Sequence, residues 1–290
     1  MKENKEHIDH IAVDKRSKTF FADGEFNWTR SEADIWSVLE AKIDALPAGR
    51  SRKFNFDLSK LAVAASILVF FSVLGFLRFY SVRIETLTGQ HLLAELPDHS
   101  KAELNAQSNI IYYPYWWRVS RIVKLDGEAF FEVEKGKKFT VISSKGTTQV
   151  LGTTFNIFSR DNVYKVTCVS GSVKVKSGTG SEVILKPNSK AEIDADGKIN
   201  VLTNIETYPE ISWKKNVFLF HASPVLQVFS EIERQYGVKI NAPADNFTLY
   251  TGNFSKNQKV EEILSYVCPA LGLKYIQKSS VEYIIIPENE

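Results

Sequence analysis

The chain is poor in the residues that do chemistry. Its only cysteines are Cys168 and Cys268, and it holds no Cys-x-x-Cys pair. That excludes a disulfide framework and a thiolate metal site of recognisable spacing. The two cysteines are open to two readings, a pair of buried apolar side chains or one bond in an oxidising compartment. Five histidines (His7, His10, His91, His99 and His221) are scattered and fall in no catalytic signature. No Ser/His/Asp grouping and no carboxylate pair in a predicted cleft accompanies them. The sequence therefore calls for no enzyme, cofactor or metal. A charge excess is also missing, with 36 Lys and Arg against 34 Asp and Glu, so nothing suggests nucleic acid. There is no apolar leader near the first residue either, which argues against a cleaved signal peptide.

What the chain does have is one long apolar run. Leu61 to Leu77 contains no charge, and its only polar members are Ser66 and Ser72. As a helix it spans roughly 25 Å, near the short end of a bilayer crossing. Phe56, Leu58, Phe79 and Tyr80 extend it, while Lys60 and Arg78 can reach outward to the headgroups. A buried core helix is the alternative, but such a helix usually keeps a polar face. The expected span is 58–80. Arg50, Arg52, Lys53 and Lys60 precede it, against Arg78 and Arg83 after it, so the N-terminus is expected inside. Residues 1–57 then lie in the cytoplasm and everything after the span lies outside.

The inside piece reads as helical. Thr29 and Glu32 have capping-box spacing. Ile35, Trp36, Leu39, Ile43 and Leu46 then recur on one helical face, and Pro47 to Gly49 ends the helix. A weaker helix is expected from His7 to Lys18, with Phe20, Phe21, Phe26 and Trp28 between the two. A piece this small has too little core to stand alone. Its stripe is either a face resting on lipid headgroups or a docking face for a cytoplasmic protein.

Beyond the span, in 82–205, the period changes to 2. Ala129, Phe131 and Val133 alternate with Glu128, Phe130, Glu132 and Glu134. Similar alternation follows at Phe155 and Ile157, at Tyr164, Val166 and Cys168, and at Val173 and Val175, with turn signals such as Asp126-Gly127 and Lys145-Gly146 between. This predicts an all-β domain, sandwich-like or solenoid-like. In 211–288 strands and helices alternate. Val217–Phe220 reads as a strand, and Ser223 as an N-cap with Pro224 at the first helical position. Val225, Leu226, Phe229, Ile232 and Tyr236 form one face, and Gly237 closes the helix. A second copy follows as strand 249–254, helix 260–267 and strand from Gly272, with a last strand near Tyr283 to Ile286. Two strand-helix-strand copies predict a compact α+β unit with a small sheet.

Several ordered motifs then carry a resemblance. Leu96-Pro-Asp-His-Ser100 is similar to LPDGS. Leu125-Asp-Gly-Glu-Ala-Phe-Phe-Glu-Val133 matches LDGEAFFEV, and Val150-Leu-Gly-Thr-Thr-Phe-Asn156 matches VLGTxFN. Val169-Ser-Gly-Ser-Val-Lys-Val175 is similar to LEGxVxV, and Leu185-Lys-Pro-Asn188 to L-x-P-G. Trp213-Lys-Lys-Asn-Val-Phe-Leu-Phe220 is similar to W-x-x-G-x-L-x-F. Over about residues 90–275 the chain resembles the FecR family of membrane-bound anti-sigma factors, in its Bacteroidetes form. His99, Asn188 and Asn216 stand where the family carries glycine, and His99 is expected to need a slightly different turn.

The resemblance implies a multidomain relay in the inner membrane. On the cytoplasmic side, an extracytoplasmic-function sigma factor would bind Ile35, Trp36, Leu39 and Ile43. On the periplasmic side, the signalling domain of an outer-membrane TonB-dependent transporter would bind the C-terminal domain. There a sheet edge at Val217, Phe218, Leu219 and Phe220, or at 249–254, can accept a strand. Some family members cleave themselves at a Gly-Thr bond, which makes Gly152 and Thr153 a self-cleavage candidate without making the chain an enzyme. The other reading of that pair is a bulge glycine and an ordinary strand threonine. A short helix transmits bending poorly, so a membrane-embedded protease acting on the span is a further expected partner. The competing reading of the whole chain is a structural or glycan-binding envelope protein with an inert cytoplasmic tail.

Overall fold

The computed structural model describes residues 30–45, 58–160, 163–194, 196–243 and 248–288. The chain falls into two units, Met1–Ala64 and Ala65–Glu290. In the first, α1 (Glu32–Asp44) is capped by Ser31, whose hydroxyl accepts from the Asp34 amide at 3.3 Å. Asp34 reciprocates by accepting from the Ser31 amide at 3.3 Å. The capping box therefore sits at Ser31 and Asp34 and not at Thr29 and Glu32. Glu32 is already the first helical residue, so its side chain favours the helix dipole and has no reach to a cap. Thr29, the weaker helix at His7 to Lys18, the aromatics at 20–28 and the chain from Leu46 to Phe56 lie outside the described residues.

Helix α2 (Leu58–Phe79) has 22 residues and buries none of them. It is long and apolar enough to cross a membrane, at about 33 Å against a hydrocarbon thickness of about 30 Å. Two residues, Tyr80 and Ser81, separate it from the first strand.

Thirteen strands follow: β1 (Val82–Glu85), β2 (Leu92–Glu95), β3 (Lys101–Leu104), β4 (Asn109–Tyr112), β5 (Arg121–Glu132), β6 (Phe139–Ile142), β7 (Gly146–Val150), β8 (Thr154–Arg160), β9 (Val163–Ser170), β10 (Val173–Ser177), β11 (Glu182–Leu185), β12 (Ser189–Ile193) and β13 (Ile199–Thr203). The long strand β5 is the branch point. Its first half pairs with β4 and β6, and its second half with β3 and β8. The change falls at Gly127, whose φ is +107° and whose missing Cβ leaves room for Ser108 at 2.6 Å. A side chain there would oppose both the backbone conformation and the close approach. Two sheets thus share one strand and face each other across one core. Val123, Val141 and Val175 come from one side, and Phe131, Ile157 and Val166 from the other. Phe131 touches both sheets, stacking on Phe155 at 5.2 Å and meeting Phe139 edge-on at 6.1 Å.

The C-terminal part begins with α3 (Tyr208–Ile211) and a 3₁₀ turn at Ser212–Lys215. It continues through β14 (Val217–Pro224), α4 (Val225–Tyr236), β15 (Lys239–Asn241), β16 (Leu249–Ser255), α5 (Val260–Val267), β17 (Leu273–Ser279) and β18 (Glu282–Pro287). The expected single sheet is two sheets. The leading strands β14 and β16 pair antiparallel, while β15 and β17 flank β18. Each helix carries the chain from one sheet to the other, so the two copies interleave. The N-cap of α4 is Pro224, not Ser223. Strand β14 runs through Pro224, and the first helical amide, that of Val225, donates to the Thr248 carbonyl at 3.0 Å. A side-chain cap is therefore unnecessary.

His99, Asn188 and Asn216 have φ of +64°, +59° and +58°. Each departure from glycine sits in a left-handed position, which Asn and His tolerate better than other side chains. The turn at His99 keeps that conformation, so no different turn is needed.

Candidate functional site

The alternation of β5 points Glu128 and Phe130 away from the first core, and the alternation alone does not say what lies on that side. Both are buried, because the C-terminal part covers that face. Phe130 belongs to the second core with Trp213, Phe218, Val228 and Ile232. The Lys214 ammonium lies 3.5 Å from its ring centroid, held by Glu103 at 3.3 Å. Trp213, part of the family-like motif, is a core residue, with its ring edge-on to His91 at 5.4 Å.

Glu128 is the centre of a polar network across the junction. It accepts from Asn105 at 2.7 Å and from Asn156 at 2.9 Å. Gln235 of α4 donates to Asn105 at 2.8 Å and to Glu231 at 2.8 Å. Arg234 clamps Glu231 at 2.9 and 3.0 Å, and His91 meets Gln235 at 3.2 Å. Burial, then the charge of Glu231, pushes the Glu128 carboxyl up to about 7, against the pull of Arg160. Burial also works to raise Glu231, but Arg234 and Arg160 outweigh it and hold that carboxyl below its ordinary value. Burial and the charge of Lys256 lower His91. The sequence signal for this face was available: Ala129-Phe-Phe131 puts an aromatic on each side of one strand, the mark of a strand covered on both faces.

Beside the network a cleft of about 120 Å³ opens, lined by Phe158 and Lys165 of the β domain and by Phe218, Leu219 and Phe220 of β14. Of the four residues expected to bind a transducer, Phe218 is a core residue stacked on Phe254 at 4.9 Å, and Val217, Leu219 and Phe220 are half-buried. Phe220 also packs against that core, so what β14 offers a partner is its backbone edge with Val217 and Leu219. Strand β16 is its only strand partner among the described residues.

The stripe of α1 is uncovered. Ile35, Trp36, Leu39 and Ile43 are all exposed, Trp36 by 61%, and the helix buries no residue.

Gly152 and Thr153 lie at the entry to β8. Gly152 has φ +151° and passes Lys135 so closely that a Cβ would meet the Lys135 Cα at 2.8 Å. Thr153 is buried. Its hydroxyl donates to the Ser172 carbonyl at 3.0 Å and accepts from the Ser172 amide at 3.4 Å. Cys168 and Cys268 are both buried and both free, so the disulfide does not form; burial pushes each thiol up to about 11.

Comparison with known proteins agrees with this architecture. Residues 82–174 match the family model described as FecR protein, and residues 217–286 match that described as FecR, C-terminal. No curated protein matches in sequence. Two crystal structures of a proposed anti-sigma factor from Parabacteroides distasonis ATCC 8503 share the fold. One is 24% identical, with a TM-score of 0.66 over 71% of this chain and 99% of that one. The other is 25% identical, with a TM-score of 0.66 over 72% and 99%. With both of its domain models matched in order across the β-rich and α+β parts, the chain belongs to the FecR family.

Proposed function

We propose that this chain is a sigma-factor regulator: a single-pass inner-membrane anti-sigma factor divided into 1–57 (cytoplasmic), 58–80 (span), 82–205 and 211–288 (both periplasmic). The observation that carries the reading is α1. It is an amphipathic helix with a capped start and an apolar stripe that buries nothing. With one helix among the described residues long and apolar enough to span, and the FecR domains following it in the chain, a cytoplasmic sigma factor is the partner that fits this stripe. The test is co-purification of the full chain in detergent with sigma factors from its native host. Trp36→Ala is expected to weaken capture by about 2 kcal/mol, as loss of a central aromatic anchor. A folded, intact chain that captures none overturns the reading.

On the periplasmic side, the reading has the signalling domain of a TonB-dependent transporter adding a strand along β14, where main-chain bonds supply affinity and the half-buried Val217 and Leu219 supply side-chain contacts. Release of the sigma factor follows proteolysis, first outside the membrane and then within α2. For Gly152 and Thr153 the observations favour a structural role. Close approach to Lys135 requires the glycine, and the threonine hydroxyl is already used as donor and acceptor.

A further inference from the structure

We infer that the loop from Tyr113 to Val119 inserts into the headgroup layer of the bilayer on the far side of the span, seating the β domain on the membrane. The sequence there is Tyr-Pro-Tyr-Trp-Trp-Arg-Val, between β4 and β5. Three of its aromatic side chains, Tyr113, Tyr115 and Trp116, lie against the end of α2 and Tyr80. Tyr115 lies 6.1 Å from Phe76 and 5.2 Å from Tyr80, ring to ring. The Arg78 guanidinium sits 6.0 Å from the Tyr113 ring and 5.3 Å from the Trp116 ring. These contacts fix the height of the loop. A helix of about 33 Å in a hydrocarbon layer of about 30 Å places its last turn at the interface, and side chains in ring contact with Phe76, Arg78 and Tyr80 lie at the same level.

The chemistry suits that layer. Tyrosine and tryptophan, with an apolar ring and one polar atom, concentrate at the boundary between acyl chains and headgroups. Tyr115 is 57% exposed and Val119 68%, so an aromatic and an aliphatic side chain face outward where lipid would be. Arg118 is exposed beside them, its carbonyl accepting from the Lys137 ammonium at 3.3 Å, and two cations suit phosphate neighbours. The loop is also held firmly. Trp117 is buried between Tyr112 and Phe139, each at 5.8 Å, and Pro114–Trp116 forms a 3₁₀ turn. An inserted loop thus fixes the height and tilt of the whole β domain.

This inference rests on the reading of α2 as a span, and the test separates the two. Nitroxide labels are placed at Val119→Cys, Val69→Cys and Tyr266→Cys in the full chain, in nanodiscs of phosphatidylethanolamine and phosphatidylglycerol. Val119 takes part in no ring contact with α2, so its substitution spares the packing, and Cys168 and Cys268 are buried. Power saturation with oxygen and a water-soluble nickel chelate reports depth. The expected result is oxygen-rich collisions at Val69, chelate-rich collisions at Tyr266, and a chelate collision rate at Val119 several-fold below that at Tyr266. Equal chelate rates at Val119 and Tyr266, with Val69 in lipid, overturn the inference and leave the span standing. Chelate-rich collisions at Val69 overturn the span and the inference with it.

Discussion

Replacing Glu128 by glutamine tests whether the domain junction stores an ionisation cost. A carboxyl raised from 4.5 to about 7 by burial and by Glu231 disfavours the ionised folded state by about 3 kcal/mol at pH 8. The sign follows from proton binding. Between about pH 4.5 and 7 the folded chain keeps a proton on Glu128 that the unfolded chain has lost, so stability falls as pH rises through that window. His91, lowered by burial and Lys256, acts the other way. Its stability is present above the ordinary histidine range and is lost as pH falls. Glu231, held low, loses stability only in stronger acid. Asn156 Oδ1 has no hydrogen-bond partner, so turning that amide supplies an acceptor for a glutamine amide or for the proton on Glu128. The assay is thermal unfolding of the full chain in nanodiscs at pH 5, 6.5 and 8, followed by tryptophan fluorescence. For a unit of this size 1 kcal/mol moves Tm by about 2–4 °C. Glu128→Gln is therefore expected to melt about 6–12 °C above wild type at pH 8 and close to it at pH 5. Equal destabilisation by the substitution at all three pH values would falsify the argument, since it would mean an ionised Glu128 satisfied by Arg160.

Phe130→Ala removes an aromatic from the second core and the ring beneath Lys214, and is expected to cost about 3–4 kcal/mol, read as loosened hydrogen-exchange protection in α4. Unchanged protection there would refute a packed junction. Thr153→Ala and wild type are both expected to give one intact mass, because the Thr153 hydroxyl is committed to Ser172; two wild-type fragments split at Gly152, absent from the variant, would refute this. Crosslinking β1 to β4 through Arg83→Cys and Ile111→Cys, a register pair, is expected to abolish inducer-dependent sigma release, with recovery on reduction. Release that persists with the bond intact contradicts a mechanism that needs β1 to detach.

What was legible in the sequence is what short-range physics decides. The period-2 runs put Phe131, Phe155 and Val166 inward, and each is buried. Helix 260–267 has the expected bounds, and Gly237 has the left-handed φ of +71° that a helix end asks for. The long apolar helix was legible because an uninterrupted apolar run decides it, and α2 covers the expected stretch to within one residue. Long-range pairing was not. No local signal says that β5 serves two sheets, although Gly127 marks the place. Nor does any local signal say that β14 pairs with β16 rather than with its own helix's trailing strand. The cover over Glu128 was not legible because it comes from α4, about 100 residues later, and local pattern weighs a glutamate as solvated. The network that satisfies it exists only once the chain is folded.

In the proposed relay, the connections leave little slack between a partner docked at β14 and the membrane. Helix α4 packs Val228 and Ile232 into the core that holds β14 and turns Glu231, Arg234 and Gln235 toward Asn105 and Glu128. Glu128 belongs to β5, the first half of β5 pairs with β4, and β4 pairs with β1. Strand β1 meets the span after two residues. A protease acting outside the membrane needs an extended stretch of chain in its cleft, and two residues do not supply one. The stretch must come from β1, which has four registered partners on β4 and no other strand beside it among the described residues. A short edge strand is also the least costly element of a sheet to detach, since it frees few buried groups. In the proposed relay, docking at β14 and cutting near α2 would thus be linked through hydrogen-bonded strands and one buried network, and β1 is the element that a signal would have to detach.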